Sequence, residues 1–438
     1  MKYLFVACLL YLSVLSAVAK VPAMNKIRLT NNWEYLKGDL GGIWEAVRPA
    51  APGSSEAVPI WQPVTLPHCF NAEDAVDPDV NYYEGPGWYK TLLAIDNPYR
   101  NGRIVLDFDG AGQKTDVYVY TTHVGSHVGG YDSWNVDITN AVKAFLGSKD
   151  AERFKGKVPL SIRCDNSRDL EMIPSDLADF NIYGGLYRYL NLVYLPEVSF
   201  EQIRLESFLS SNLKEGTLKV KTSFYNPEDI RKADVTVSVY DVDRKPVFSK
   251  TLEGILPLGD QLLAEMKIKN PVLWDVDVPQ LYTCELTVKT PDQTFTTKER
   301  FGFRHTEFKD KGPFFLNGKR LLLRGTHRHE DHAGVAQAMT EDMMRREMRM
   351  MKDMGVNFIR LGHYQQSEII LDLCDELGIL VWKEIPWCRG GLGGDVYKKQ
   401  ARRMLANMIV QHHNHPAVII WGLGNENDWP NDFNTCLL

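Results

Sequence analysis

The chain has 438 residues, 44% of them hydrophobic and 24% charged, with a formal net charge of -6. That length exceeds a single core and predicts several domains, and the mixed composition excludes a disordered chain. The acidic balance leaves no basic surplus to neutralise a phosphate backbone, which excludes nucleic acid as a partner and favours neutral or mildly charged ligands.

Lys2, an apolar run from Tyr3 to Leu15, and the small residues Ala17 to Ala19 form the three parts of a secretory signal, predicted to occupy 1–19 and to be cleaved after Ala19. The run is too short to span a bilayer, and no later stretch reaches about 18 apolar residues. The mature protein is therefore expected to be soluble, without membrane contact, and periplasmic or secreted. Cys8 lies inside the run, not after it, so lipid attachment is disfavoured. The other cysteines, at 69, 164, 284, 374, 388 and 436, form no C-x-x-C pair and are expected to be buried or free thiols.

From 27 to 197, β-rich runs such as Trp88 to Ile95 and Arg103 to Phe108 alternate with Gly, Asn, Asp and Pro clusters, which predicts a β-sandwich. From 198 to 303, strands such as Leu218 to Phe224, Ala233 to Tyr240 and Leu281 to Val288 recur at regular spacing. About seven strands in some 100 residues suit an immunoglobulin-like sandwich.

After Phe303 the pattern changes. A strand at Leu321 to Thr326 precedes a helix capped by Thr340, with Met344, Met348, Met351 and Met354 at helical spacing and Gly355 as its stop. A strand at Asn357 to Leu361 then precedes a Ser367-capped helix carrying Ile370, Leu373 and Leu377, which Gly378 ends. A third unit runs from Ile379 to an Asp395-capped helix, and Ala417 to Trp421 begins a fourth. Residues 304–438 thus read as the first half of a (β/α)8 barrel, since a closed barrel needs eight strands and about 250 residues.

Reacting groups of such barrels lie at the carboxyl ends of the strands. Here those ends carry His327 to His332, Gly362 to Tyr364, Lys383 to Trp387, and Gly424 to Trp429. His327, His329 and His332 alternate along a strand, but no closed ligand set of defined spacing accompanies them, so no metal site is expected. His412, His413 and His415 are accounted for by a helix carboxyl end. Glu384, between apolar Trp382 and Pro386, points to a pocket role. Glu426, beside Asn425 and after an apolar strand, sits where burial would raise its pKa for general-acid work.

The segment Asn414 to Ile420 followed by Trp421 to Glu426 resembles the acid/base signature of glycoside hydrolase family 2, the β-galactosidase family. Arg328 to Glu330 resembles the family's first-strand motif and Asn357 to Tyr364 its second-strand motif. Gly129 to Thr139 and Asp179 to Arg188 resemble its sugar-binding domain; Leu273 to Tyr282 and Phe301 to Arg304 resemble its linker sandwich. The resemblance implies a retaining β-glycosidase acting on oligosaccharide or polysaccharide, most readily a β-galactosidase. β-Glucuronidase, β-mannosidase, another activity on plant glycans, or an inactive carbohydrate-binding chain are the alternatives. It implies Glu426 as acid/base, Asn425 as the contact to the hydroxyl beside the anomeric carbon, and His329, Arg360, His363 and Asp179 as sugar contacts. The nucleophile would come from a strand near the seventh, beyond Leu438, so no residue of this chain fills that role. Many members form dimers or tetramers, which makes a homo-oligomer an expectation. The best-known β-galactosidases of the family hold magnesium through a Glu-x-His whose approximate equivalents here are Cys388 and Gly390, so no cofactor is expected.

Overall fold

The structure, a computed structural model, describes residues 26–48, 59–175, 177–227, 232–390 and 394–426. The expected signal 1–19, Cys8, Trp429 and Cys436 lie outside the described residues.

The first layer is a sandwich of a six-stranded and a four-stranded antiparallel sheet. Its core gathers Trp33, Tyr89, Leu106, Phe108, Trp134 and Leu160. In the second, a three-stranded sheet faces a four-stranded one. Strand Ala233–Tyr240 alternates buried and half-buried residues along its whole length, and Glu215–Tyr225 does the same. That period of two puts Val235, Val237 and Val239 in one core with Leu218 and Val220.

The third layer is a parallel sheet. Strands β1 (Gly325–Arg328), β2 (Phe358–Leu361), β3 (Leu380–Glu384) and β4 (Val418–Gly422) pair in that order. They alternate with helices α1 (Glu341–Asp353), α2 (Glu368–Leu377) and α3 (Asp395–His412). The predicted punctuation holds: Thr340 Oγ1 accepts from the Met343 N–H, Ser367 Oγ accepts from the Ile369 N–H, and Gly378 closes α2 with φ of +69°. Three expectations need correction, and the non-functional reading of the histidines at the carboxyl end of α3 holds. The first barrel strand begins at Gly325, because Leu321 is used in an antiparallel hairpin with Phe314–Leu316, and Leu322 is left exposed. Met344 and Met348 are buried, whereas Met354 is exposed at the end of α1, beyond the apolar stripe. The N-cap of α3 is Gly394, one residue before Asp395. His412 and His415 are structural: His412 is buried, and His415 Nδ1 lies 2.6 Å from the Asp375 carboxylate. All five cysteines among the described residues are free and buried, and no described helix is long and apolar enough to cross a membrane.

Specific side chains clamp the layers together. Arg188 of the first sandwich forms a fully buried ion pair with Glu330, and Tyr131 stacks on Tyr364 with ring centroids 4.5 Å apart. From the second sandwich, Trp274 Nε1 donates to the Asp375 carbonyl at 2.9 Å, and Arg300 pairs with Asp372 and Glu376.

Alternation along β3 turns Lys383 away from its neighbours Trp382 and Glu384 into a fully buried site where its amine has no hydrogen-bond partner among the described residues. Burial is the chief cause that pushes this amine down to about 7. The folded chain then binds fewer protons at this group than the unfolded chain between about pH 7 and the ordinary lysine value, so the group costs stability that is regained as pH rises through that window. Lys383→Met should be more stable near pH 7, with an advantage that shrinks by up to about 1.4 kcal/mol per pH unit towards pH 9. Urea-unfolding midpoints across that range measure it; parallel curves for the two proteins would refute the assignment.

Candidate active site

Glu384 ends β3 fully buried. Its carboxylate accepts from Arg360 Nε at 3.2 Å and Nη2 at 3.0 Å, and Oε1 lies 2.8 Å from His363 Nδ1. Arg360, on β2, also donates to Asn425 Oδ1 at 2.9 Å and lies over the Trp382 ring. One buried acid thus fixes a side chain of β2 and another just after it, and through Arg360 it orients the amide after β4. The Asn425 amide also makes a weak contact to Cys388 Sγ at 3.4 Å.

The loops after β3 and β4 are stitched together by their backbones. Asn425 N–H donates to the Trp387 carbonyl at 2.8 Å, and Arg389 N–H donates to the Asn425 carbonyl at 3.1 Å. This places the Arg389 guanidinium 2.9 Å from Glu426 Oε2 and 3.2 Å from Asp179 Oδ2. Burial by itself would raise the Asp179 carboxyl, but the Cys388 thiol, which donates to it at 3.2 Å, and Arg389 hold it below the usual carboxylate range. Cys388 itself is pushed up to about 11, chiefly by burial.

Glu426, the last described residue, follows β4, the last strand of the parallel sheet among the described residues, and its side chain is 54% exposed there. Its φ of +51° is left-handed, a conformation a non-glycine residue holds only where surrounding structure enforces it.

Adjoining this network, His327, His329 and His363 cluster with ring centroids 4.7 to 5.3 Å apart. Phe180 of the sandwich packs against His329 and His363. Burial, then the neighbouring imidazoles, pushes His329 down to about 4; burial also lowers His327. Both rings are neutral near pH 7. His332 lies apart, its ring bonded to the Ala333 carbonyl.

All the residues expected from sequence, Asp179, His329, Arg360, His363, Glu384, Asn425 and Glu426, are therefore joined by direct contacts, through Cys388 and Arg389, into one cluster at the carboxyl ends of the strands. Phe180 and Arg389 were missed. Phe180 follows Asp179 inside a motif already singled out, but the pairing of Arg389 with Glu426 depends on two loops meeting in space and has no local signal. The donors at the approximate family magnesium position, the Cys388 thiol and Gly390, do not suit a hard cation that requires oxygen ligands.

Two sandwiches docked on parallel strand–helix units, with Asp179 and Phe180 of the first sandwich reaching the polar cluster at the carboxyl ends of the strands, define a sandwich-fronted (β/α)-barrel protein. Family models bear on which one: glycosyl hydrolases family 2 sugar binding domain matches residues 40–196, glycosyl hydrolases family 2 matches 198–304, and glycosyl hydrolases family 2 TIM barrel domain matches 307–437. The chain belongs to glycosyl hydrolase family 2. A putative β-glucuronidase of Formosa agariphila is 39% identical over 410 residues, 93% of this chain and 47% of the relative. A β-galactosidase of Thermoanaerobacterium thermosulfurigenes is 30% identical, over 91% of this chain and 53% of the relative. The crystal structure of Parabacteroides merdae β-glucuronidase with glycerol in its active site superposes with a TM-score of 0.93 at 98% identity, covering 96% of this chain and 53% of that one. The chain thus spans about half the length of the relatives it matches.

Proposed function

We propose that this chain supplies the acid/base half of a retaining β-glucuronidase, with Glu426 as the acid/base. Asn425, Arg360, His363, His329 and Asp179 bind the sugar, and Glu384 positions Arg360 and His363. The observation that carries the reading is the Asn425–Glu426 pair at the end of β4, its amide oriented by the Glu384–Arg360 ion pair. A retaining glycosidase needs one carboxylic acid to protonate the leaving oxygen and then activate water, beside a contact to the 2-hydroxyl that strengthens in the transition state. The second carboxylate, the nucleophile, belongs to the half of the barrel not present among these residues. Sequence alone put β-galactosides first; the 98% identity to a β-glucuronidase supports β-glucuronides instead. Export from the cytoplasm rests on the leader-like residues before Lys20.

The test is a chimera in which this chain continues into the remainder of the Parabacteroides merdae enzyme, assayed on 4-nitrophenyl β-glucuronide and β-galactoside. kcat/KM should favour the glucuronide by at least about 100-fold, as expected when buried polar groups select a substrate group. A preference for the galactoside would return the assignment to the sequence reading.

A further inference from the structure

We propose that His327, His329 and His363 form a three-imidazole site for a zinc-class divalent metal, and that its occupation closes the polar cluster to sugar; the second part rests on the function proposed above. One candidate ligand nitrogen from each ring can be chosen so that all three lie within 4.8 Å of one another. The scaffold is fixed: His327 is in register with Arg360 across the β1–β2 pair, and His363 follows two residues after β2 ends. Two of the rings have a polar partner: His363 Nδ1 lies 2.8 Å from Glu384 and 3.2 Å from Arg360 Nη2, and His329 Nδ1 lies 3.3 Å from the Tyr364 hydroxyl.

Metal-ligating histidines characteristically commit their second ring nitrogen to a carboxylate, a carbonyl or another polar partner, which sets the tautomer and aims the first. Here His329 and His363 do so. Three imidazole nitrogens suit zinc, cobalt, nickel or copper and do not suit magnesium or calcium, and a three-ligand set leaves a coordination position open to water. The trio differs from the alternating His327, His329 and His332 suggested by strand periodicity, because His332 turns away and His363 arrives from the next strand. A second group, Asp372, Asp375 and His415, is already neutralised internally by the His415–Asp375 pair and by Arg300.

The chain is titrated with Zn2+ by calorimetry and with Co2+ by visible absorption, neither of which requires substrate. One equivalent should bind, with a Co2+ spectrum of low-coordinate nitrogen ligation. His327→Asn and His363→Asn should each weaken binding by more than the roughly 10–100-fold that loss of an outer partner costs, while His415→Asn should leave it intact. Absent binding, binding indifferent to both substitutions, or binding lost in His415→Asn overturns the site. In the chimera, Zn2+ should raise KM for the glycoside at constant kcat, reversed by EDTA; bound metal with KM unchanged overturns the closure. Bound metal in an enzyme that cleaves no glycoside would sink the proposed function and leave the metal site standing.

Discussion

Glu426→Gln in the chimera should lower kcat/KM for an alkyl β-glucuronide by about 10²–10⁴-fold, the usual range for a positioned general acid. For an activated 4-nitrophenyl glucuronide the loss in kcat/KM should be smaller. The reason lies in the two steps of retention: a poor leaving group needs its oxygen protonated as the bond breaks, whereas a nitrophenolate departs without help, and the missing carboxylate is then felt when water must be activated. Added azide, a nucleophile that needs no general base, should restore turnover of the activated substrate and yield a glycosyl azide. Glutamine keeps an oxygen for the Arg389 guanidinium that bonds Glu426 at 2.9 Å, so the loop geometry should survive. Equal losses on both substrates with no response to azide would remove Glu426 from the acid/base role.

The parts of this architecture that a sequence shows are those written locally. The alternation in Ala233–Tyr240 dictates a half-buried strand, and Thr340, Ser367 and Gly378 punctuate helices through bonds to residues only a few positions away. The polar residues that follow apolar strands were legible for the same reason. What escaped depends on distant pairings. Leu322 has the apolar character of a barrel strand but follows a hairpin that uses Leu321 first. Strand periodicity grouped His332 with His329, yet the chain turns before His332, while His363 reaches the cluster from a neighbouring strand.

The Arg188–Glu330 pair gives the largest expected stability effect. Both side chains are almost wholly inaccessible; Arg188 donates to Glu330 Oε2 from Nε at 3.0 Å and Nη2 at 2.6 Å, and to the carbonyls of Gln365 and Tyr131. Glu330 Oε1 in turn accepts from the Ser367 N–H at 2.9 Å. Every charge and most donors are satisfied, so removing one partner strands the other. Arg188→Met should destabilise the folded chain by about 3–5 kcal/mol, the cost of a buried charge left uncompensated. Adding Glu330→Leu should recover a large part of that loss, because an apolar pair replaces a buried ion pair at little net cost. The double-mutant cycle, read from urea-unfolding midpoints, separates the pair from the packing around it. Asp179 and Phe180 precede Arg188 in the same sandwich and reach the polar cluster from it, so the single substitution should also reduce kcat/KM in the chimera, and the double substitution should restore activity along with stability. Stability regained without activity would mean that the ion pair sets the angle at which the sandwich meets the barrel, and that an apolar contact holds the two together without reproducing it.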